Sequence, residues 1–234
     1  MNFWEHFLEL RSRIIKVLIS FAVAFIAVYP FNKILQNILL FPAKGIITKL
    51  KYIEVSEAFL MHINLTMMAA AIFTIPIALW QFWKFVEPAL YQNERKIILR
   101  SFGFSVLMFV LGILFVYFIM LPYSLGFFMS YQTQFLAAEI TLRSYISFAS
   151  FLLIAGGISF QIPIILIILI MTNAISREFF CKQRKIVFIV LLAISAILTP
   201  PDGLTMLILA IPLYLLFELS LVITYFKKNK KDEA

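Results

Sequence analysis

The stretch Phe82–Arg100, FWKFVEPALYQNERKIILR, is a polar island between two long apolar runs, and its reading decides that the chain crosses lipid. Phe82, Trp83 and Phe85 close the first run, as amphipathic rings do at a membrane interface. Pro88 has no amide proton and disfavours helix at Glu87, so the first run ends there. Arg95, Lys96 and Arg100 need no explanation beyond holding the turn at the membrane surface. Glu94 among them does. It is either a helix-start carboxylate favoured by the dipole, or the partner of an incoming cation.

Working outward, 63% of the 234 residues are hydrophobic and 14% are charged, with mean hydropathy +0.99. No soluble domain requires that much apolar surface, so the expected fold is an all-α integral membrane protein forming a single domain over residues 1–234. The net charge of +8 sets orientation here, and no nucleic-acid partner is expected. Cys181 is the only cysteine, which excludes an internal disulfide. Twenty-six phenylalanines against seven glycines, with many isoleucines and lysines, suggest an AT-rich coding sequence such as a mitochondrial or other organellar genome.

Residues 1–13 carry Phe3, Trp4, Phe7 and Leu8 on one helical stripe, which predicts a short amphipathic helix lying on the surface. Glu5 and Glu9 argue against reading this start as a cleaved leader. A six-helix bundle is expected over residues 14–226, and residues 227–234 form a basic tail. The first span runs from Ile14 to Phe31, and residues 32–62 fold on themselves as an outer cap. The second span, Ile63–Trp83, tolerates Pro76, and the third, Ser101–Leu121, is stopped by Pro122. Residues 122–144 form a second outer loop before the long fourth span, Tyr145–Met171. Ile186–Leu198 then has only 13 residues, about 20 Å of helix against a hydrocarbon core of about 30 Å. The hairpin it makes with Leu204–Phe226 is therefore either re-entrant or set in a thinned bilayer. Six spans leave fifteen of the twenty Lys and Arg on the side of both termini, against Lys33, Lys44, Lys49, Lys51 and Arg143 opposite. That bias places both ends inside.

No catalytic constellation is present, so the chain is not read as an enzyme. His6 and His62 form no metal motif, Ser159 in GGISF is no nucleophile elbow, and no cofactor is implied. Polar groups inside apolar runs carry more information, because lipid makes them costly. Gln161 is either a helix–helix hydrogen bond or a midplane binding residue. Glu218 either snorkels or pairs with Lys182 or Arg184, and Asp202 suits an Asx-type turn. Glu9 and Glu94 remain as two carboxylates on the inner side, each bordered by bases. Glu9 either pairs locally with Arg13 or, with Glu94, binds a ligand bearing more than one guanidinium. A secondary transporter of small solutes using Gln161 is the alternative, although no internal repeat supports it.

Seven segments, HFLELRSR (His6–Arg13), QFWKFVEPALYQNERK (Gln81–Lys96), YFIMLPYSLGF (Tyr117–Phe127), YISF (Tyr145–Phe148), GISFQIP (Gly157–Pro163), TPPD (Thr199–Asp202) and AIPLYLLFE (Ala210–Glu218), together resemble the TatC family, the receptor subunit of the twin-arginine protein translocase. The resemblance implies six spans, a short final pair of helices, and docking of twin-arginine signal peptides of folded precursors on the inner face of an energy-transducing membrane. It assigns Glu9 and Glu94 to the twin arginines and Arg11 and Phe85 to sensitive neighbours. Pro42, Tyr117 and Asp202 match sensitive outer positions, and TatA- and TatB-type subunits and further copies of the chain are the implied partners. Two positions depart from the pattern. Gln161 stands where many relatives carry glutamate, so no ionised-group role transfers to it, and Met206 stands where a glutamine often follows the TPPD turn.

Overall fold

Neither glycine nor proline interrupts residues 3–28, and one helix, α1 (Phe3–Val28), fills them without a break. The helix expected over residues 1–13 is thus not a separate element: from Phe3 it runs on into the first apolar run, because no residue there forces a bend. The computed structural model describes residues 3–47, 50–51, 56–86, 95–133, 139–172 and 174–232. Glu94, Tyr91 and the Glu87-Pro88 break lie outside the described residues.

A proline-led 3-10 turn, Tyr29–Phe31, passes α1 into α2 (Asn32–Leu40), and a second, Phe41–Ala43, buries Pro42. Gly45 then takes φ 84°, a left-handed conformation that glycine adopts without strain. From Asn32 on, these elements occupy the start of the region, residues 32–62, expected to fold on itself. Their fastening was not predicted. Buried Asn32 donates to Thr66 Oγ1 at 2.9 Å, Tyr117 donates to the Ile38 carbonyl at 2.6 Å, and Tyr145 donates to the Leu39 carbonyl. Phenol hydroxyls from two other helices thereby cover carbonyls at the end of α2.

The long helix α3 (Glu57–Val86) passes through Pro76 and begins six residues before the expected Ile63. Glu57 belongs to the helix because its carboxylate is buried and accepts the Arg143 backbone N–H at 3.1 Å. Beside it, Lys51 and Glu139 form an ion pair, and the Lys51 backbone bonds to Ile140 and Leu142 at 3.2 Å each. The segments before α3 and before α6 are therefore joined at one end of the bundle, called here the cap end.

Pro122 does not stop the third span. After α4 (Arg95–Phe115) the backbone widens into a π turn, Val116–Met120, and continues as α5 (Leu121–Met129). The wider turn changes which carbonyl lies opposite the proline ring, and Pro122 falls in the first turn of α5, where a missing N–H costs little. The fourth span is likewise two helices, α6 (Leu142–Ser159) and α7 (Ile162–Met171), joined at Phe160-Gln161 with Pro163 in the first turn of α7. A short α8 (Arg177–Lys182) leads to α9 (Arg184–Leu198) and α10 (Gly203–Asp232).

Five described stretches are long and apolar enough to cross a bilayer: Phe7–Ala43, Glu57–Val86, Ser101–Met129, Leu142–Met171 and Gly203–Tyr225. The 15 residues of α9 give only about 22 Å of helix. Val116 and Met120 of the π turn, Leu121 of α5 and Ala149 of α6 are fully buried in the core. Helices α4 and α6 cross closely through glycine. A Cβ on Gly156 would lie 2.2 Å from Val116 Cγ2, and one on Gly157 2.5 Å from Phe109. Ile26, Phe73 and Ile197 lie outermost and exposed, as lipid-facing side chains do.

Candidate functional site at the basic end

The end opposite the cap brings α1 against the last turns of α3. Arg13, one turn below Glu9, is the joint. Its Nε donates to Glu9 Oε1 at 3.1 Å, and its Nη2 bonds the same oxygen at shorter range. Nη1 reaches Gln81 Oε1 at 3.3 Å, and Nη2 also donates to the Lys84 carbonyl at 3.1 Å. A guanidinium fork suits this, since its donors fan out in a plane. The last contact covers a carbonyl that the end of α3 would otherwise leave to water. Arg13 and Glu9 are mostly buried, with 17% and 22% of their side chains exposed. The sequence offered the local pair; Arg13's grip on α3 lies 68 and 71 positions away and is not readable from it.

Next to this joint lies a groove of about 240 Å³ lined by Leu10, Ile14, Val17, Ala78, Phe82 and Phe85, together with Arg13 and Gln81. The polar joint therefore borders an apolar slot. Arg11 is exposed on the other flank of α1, where it lines a shallow surface depression with Leu8, Ser12, Ile15 and Lys16. Lys84 lies over the Trp80 ring at 5.0 Å. Trp83 departs from its expected place in an interface belt: it is 3% exposed and donates to Ser105 Oγ at 3.0 Å. An indole with a partner for its N–H is as stable in the core as at the surface.

Ser105 is a junction that sequence reasoning missed. Its carbonyl accepts from Gln161 Nε2 at 3.0 Å, so one buried serine ties α3, α4 and the α6–α7 bend. A serine inside an apolar run was the available signal. Gln161 thus makes a helix–helix hydrogen bond, the first of its two readings, and its Oε1 has no hydrogen-bond partner among the described residues. Among the described residues no group of three or more His, Cys, Asp or Glu could hold a metal.

A family model described as Sec-independent protein translocase protein (TatC) matches residues 5–212. The chain belongs to the TatC family. It is 37% identical over 232 residues to the TatC protein of Carboxydothermus hydrogenoformans, covering 99% of this chain and 96% of that one. It is 35% identical to that of Aquifex aeolicus over 237 residues, covering 100% and 98%. A crystal structure titled as the twin-arginine translocase receptor TatC in DDM superposes with a TM-score of 0.82 at 33% identity, covering 94% of this chain and 99% of that one.

TatC proteins are membrane subunits of a protein translocase and not catalytic enzymes, so the solute-transporter alternative is left without support. These relatives are bacterial and lend no support to the organellar origin suggested by composition. The remaining expected sites fall in three further places. Pro42 and Tyr117 belong to the cap fastening already described. Asp202 caps α10, accepting the Thr205 N–H at 2.7 Å and its hydroxyl at 2.6 Å, which is the Asx role expected of it. Glu218 lies 3.2 Å from Arg184 Nε and accepts from Tyr214 at 3.0 Å, so of its two candidate bases it takes Arg184. That pair holds the basic ends of α9 and α10 together.

Proposed function

We propose that this chain is the signal-peptide receptor of a twin-arginine translocase. Glu9 and Glu94 take the two guanidinium groups of the signal, and Phe85 with Tyr91 packs on its apolar flank. The observation that supports this most is the Arg13 joint. Through Arg13 it ties Glu9 to the end of α3, after which the sequence continues into residues 87–94, and Arg13 itself lines the apolar slot that Phe85 also lines. A twin-arginine signal has the same polarity, with guanidinium groups followed by an apolar run. Arg11 contributes on the exposed flank of α1.

In this reading the chain crosses the membrane six times, α9 being the short fifth crossing in a locally thinned bilayer, and both termini share the basic, inner face. It acts in an energy-transducing membrane such as the bacterial inner membrane, driven by the proton gradient without nucleotide. TatA- and TatB-type single-span subunits pack along the α9–α10 hairpin, and further copies of the chain complete the complex. Replacing Glu94 with Ala abolishes crosslinking of a twin-arginine signal peptide while the protein remains in the membrane at normal abundance. Unchanged crosslinking would defeat the assignment.

A further inference from the structure

The carboxylate proposed to receive an arginine already holds one. Arg13 places two N–H groups on Glu9 Oε1 and is held in that position by Gln81 and the Lys84 carbonyl. The pair is mostly buried, which makes its charge balance matter more than it would in open water. We propose that Arg13 is a specificity-determining residue: by neutralising Glu9 in advance, it makes the site select guanidinium over ammonium. This deepens the receptor reading above and rests on it.

The reasoning concerns what a second cation finds at Glu9. A bare carboxylate attracts any positive charge, and a lysine, as a compact point charge, satisfies it nearly as well as an arginine. Once Arg13 supplies the countercharge, the net charge of the pair is zero and that undirected attraction is gone. An ionised carboxylate accepts about four hydrogen bonds, so it can still engage a second group through directed donors. A planar guanidinium presents several N–H groups in a fixed fork and can lie alongside another guanidinium on the same carboxylate. An ammonium is strongly hydrated and presses a concentrated charge against Arg13. Exposed Arg11 and Lys16 on the same helix repel either cation alike, so the discrimination rests on the directed bonds.

The test uses the full chain in membrane vesicles with its partner subunits, and photo-crosslinks two signal peptides that differ only in having two arginines or two lysines. Capture is normalised to the amount of folded chain. The unaltered protein and Arg13→Lys, which keeps the countercharge, both favour the arginine peptide. Arg13→Gln removes that countercharge and narrows the preference about tenfold, through increased capture of the lysine peptide. An equal fall in capture of both peptides by Arg13→Gln, or identical behaviour of the Lys and Gln variants, makes Arg13 a structural staple only and overturns the inference. Glu9→Gln is run in parallel. If it leaves arginine-peptide capture intact, the receptor reading of Glu9 itself fails; if it abolishes capture while Arg13→Gln keeps the full preference, only the role of Arg13 fails.

Discussion

The two ends of the bundle are fastened by different chemistry. At the cap end the joints are mostly uncharged: buried Asn32 on Thr66 and buried Tyr145 on the Leu39 carbonyl, Tyr117 on the exposed Ile38 carbonyl and the enclosed Glu57 carboxylate on a backbone amide, with the exposed Lys51–Glu139 ion pair beside them. At the basic end they are ion pairs, Glu9 with Arg13 mostly buried and Glu218 with Arg184 more open to solvent. Buried hydrogen bonds are costly to break because the abandoned partner stays dry, whereas exposed pairs contribute little to stability. The cap end is thus built to hold its shape, and the basic end keeps charge where another molecule can meet it.

That contrast can be broken by substitution. Glu57→Ala has the largest expected effect, about 2–3 kcal/mol of unfolding free energy, since it strands the Arg143 amide under the cap. Denaturant unfolding in detergent measures it, and crosslinking to a twin-arginine peptide per folded molecule stays unchanged. Tyr145→Phe follows, at about 1–2 kcal/mol, by leaving the Leu39 carbonyl without its phenol; a thermal midpoint identical to the parent's would show that this fastening carries no weight. Asp202→Ala removes the cap of α10 and costs about 1 kcal/mol, read the same way. The smallest effect is Arg184→Gln, at most about 0.5 kcal/mol, because half of that side chain is exposed. A loss above about 2 kcal/mol there would erase the distinction between the two ends.

The apolar runs placed most helices in the sequence because lipid leaves few other solutions for twenty greasy residues. Boundaries failed where a local rule met a tertiary one. Pro122 reads as a stop, yet a π turn absorbs it. Glu57 reads as loop, yet packing draws its carboxylate inside and lengthens α3. The site was partly legible for the same reason: Glu9 and Arg13 are one turn apart, a spacing that any helix enforces. The contacts from Arg13 to α3, and the Trp83–Ser105–Gln161 chain, join residues that only the folded arrangement brings together.

The π turn at Val116–Met120 carries a consequence for how this segment can vary. One residue more than an α-helix needs is wound into it, so everything from Leu121 onward is rotated by about 100° from the phase α4 would impose. Deleting a single residue there would yield a more regular helix of adequate length whose distal half faces the wrong neighbours. The Tyr117 hydroxyl and the Pro122 ring would change their facing relative to each other by that same angle. The segment is accordingly more tolerant of altered side chains than of an altered count.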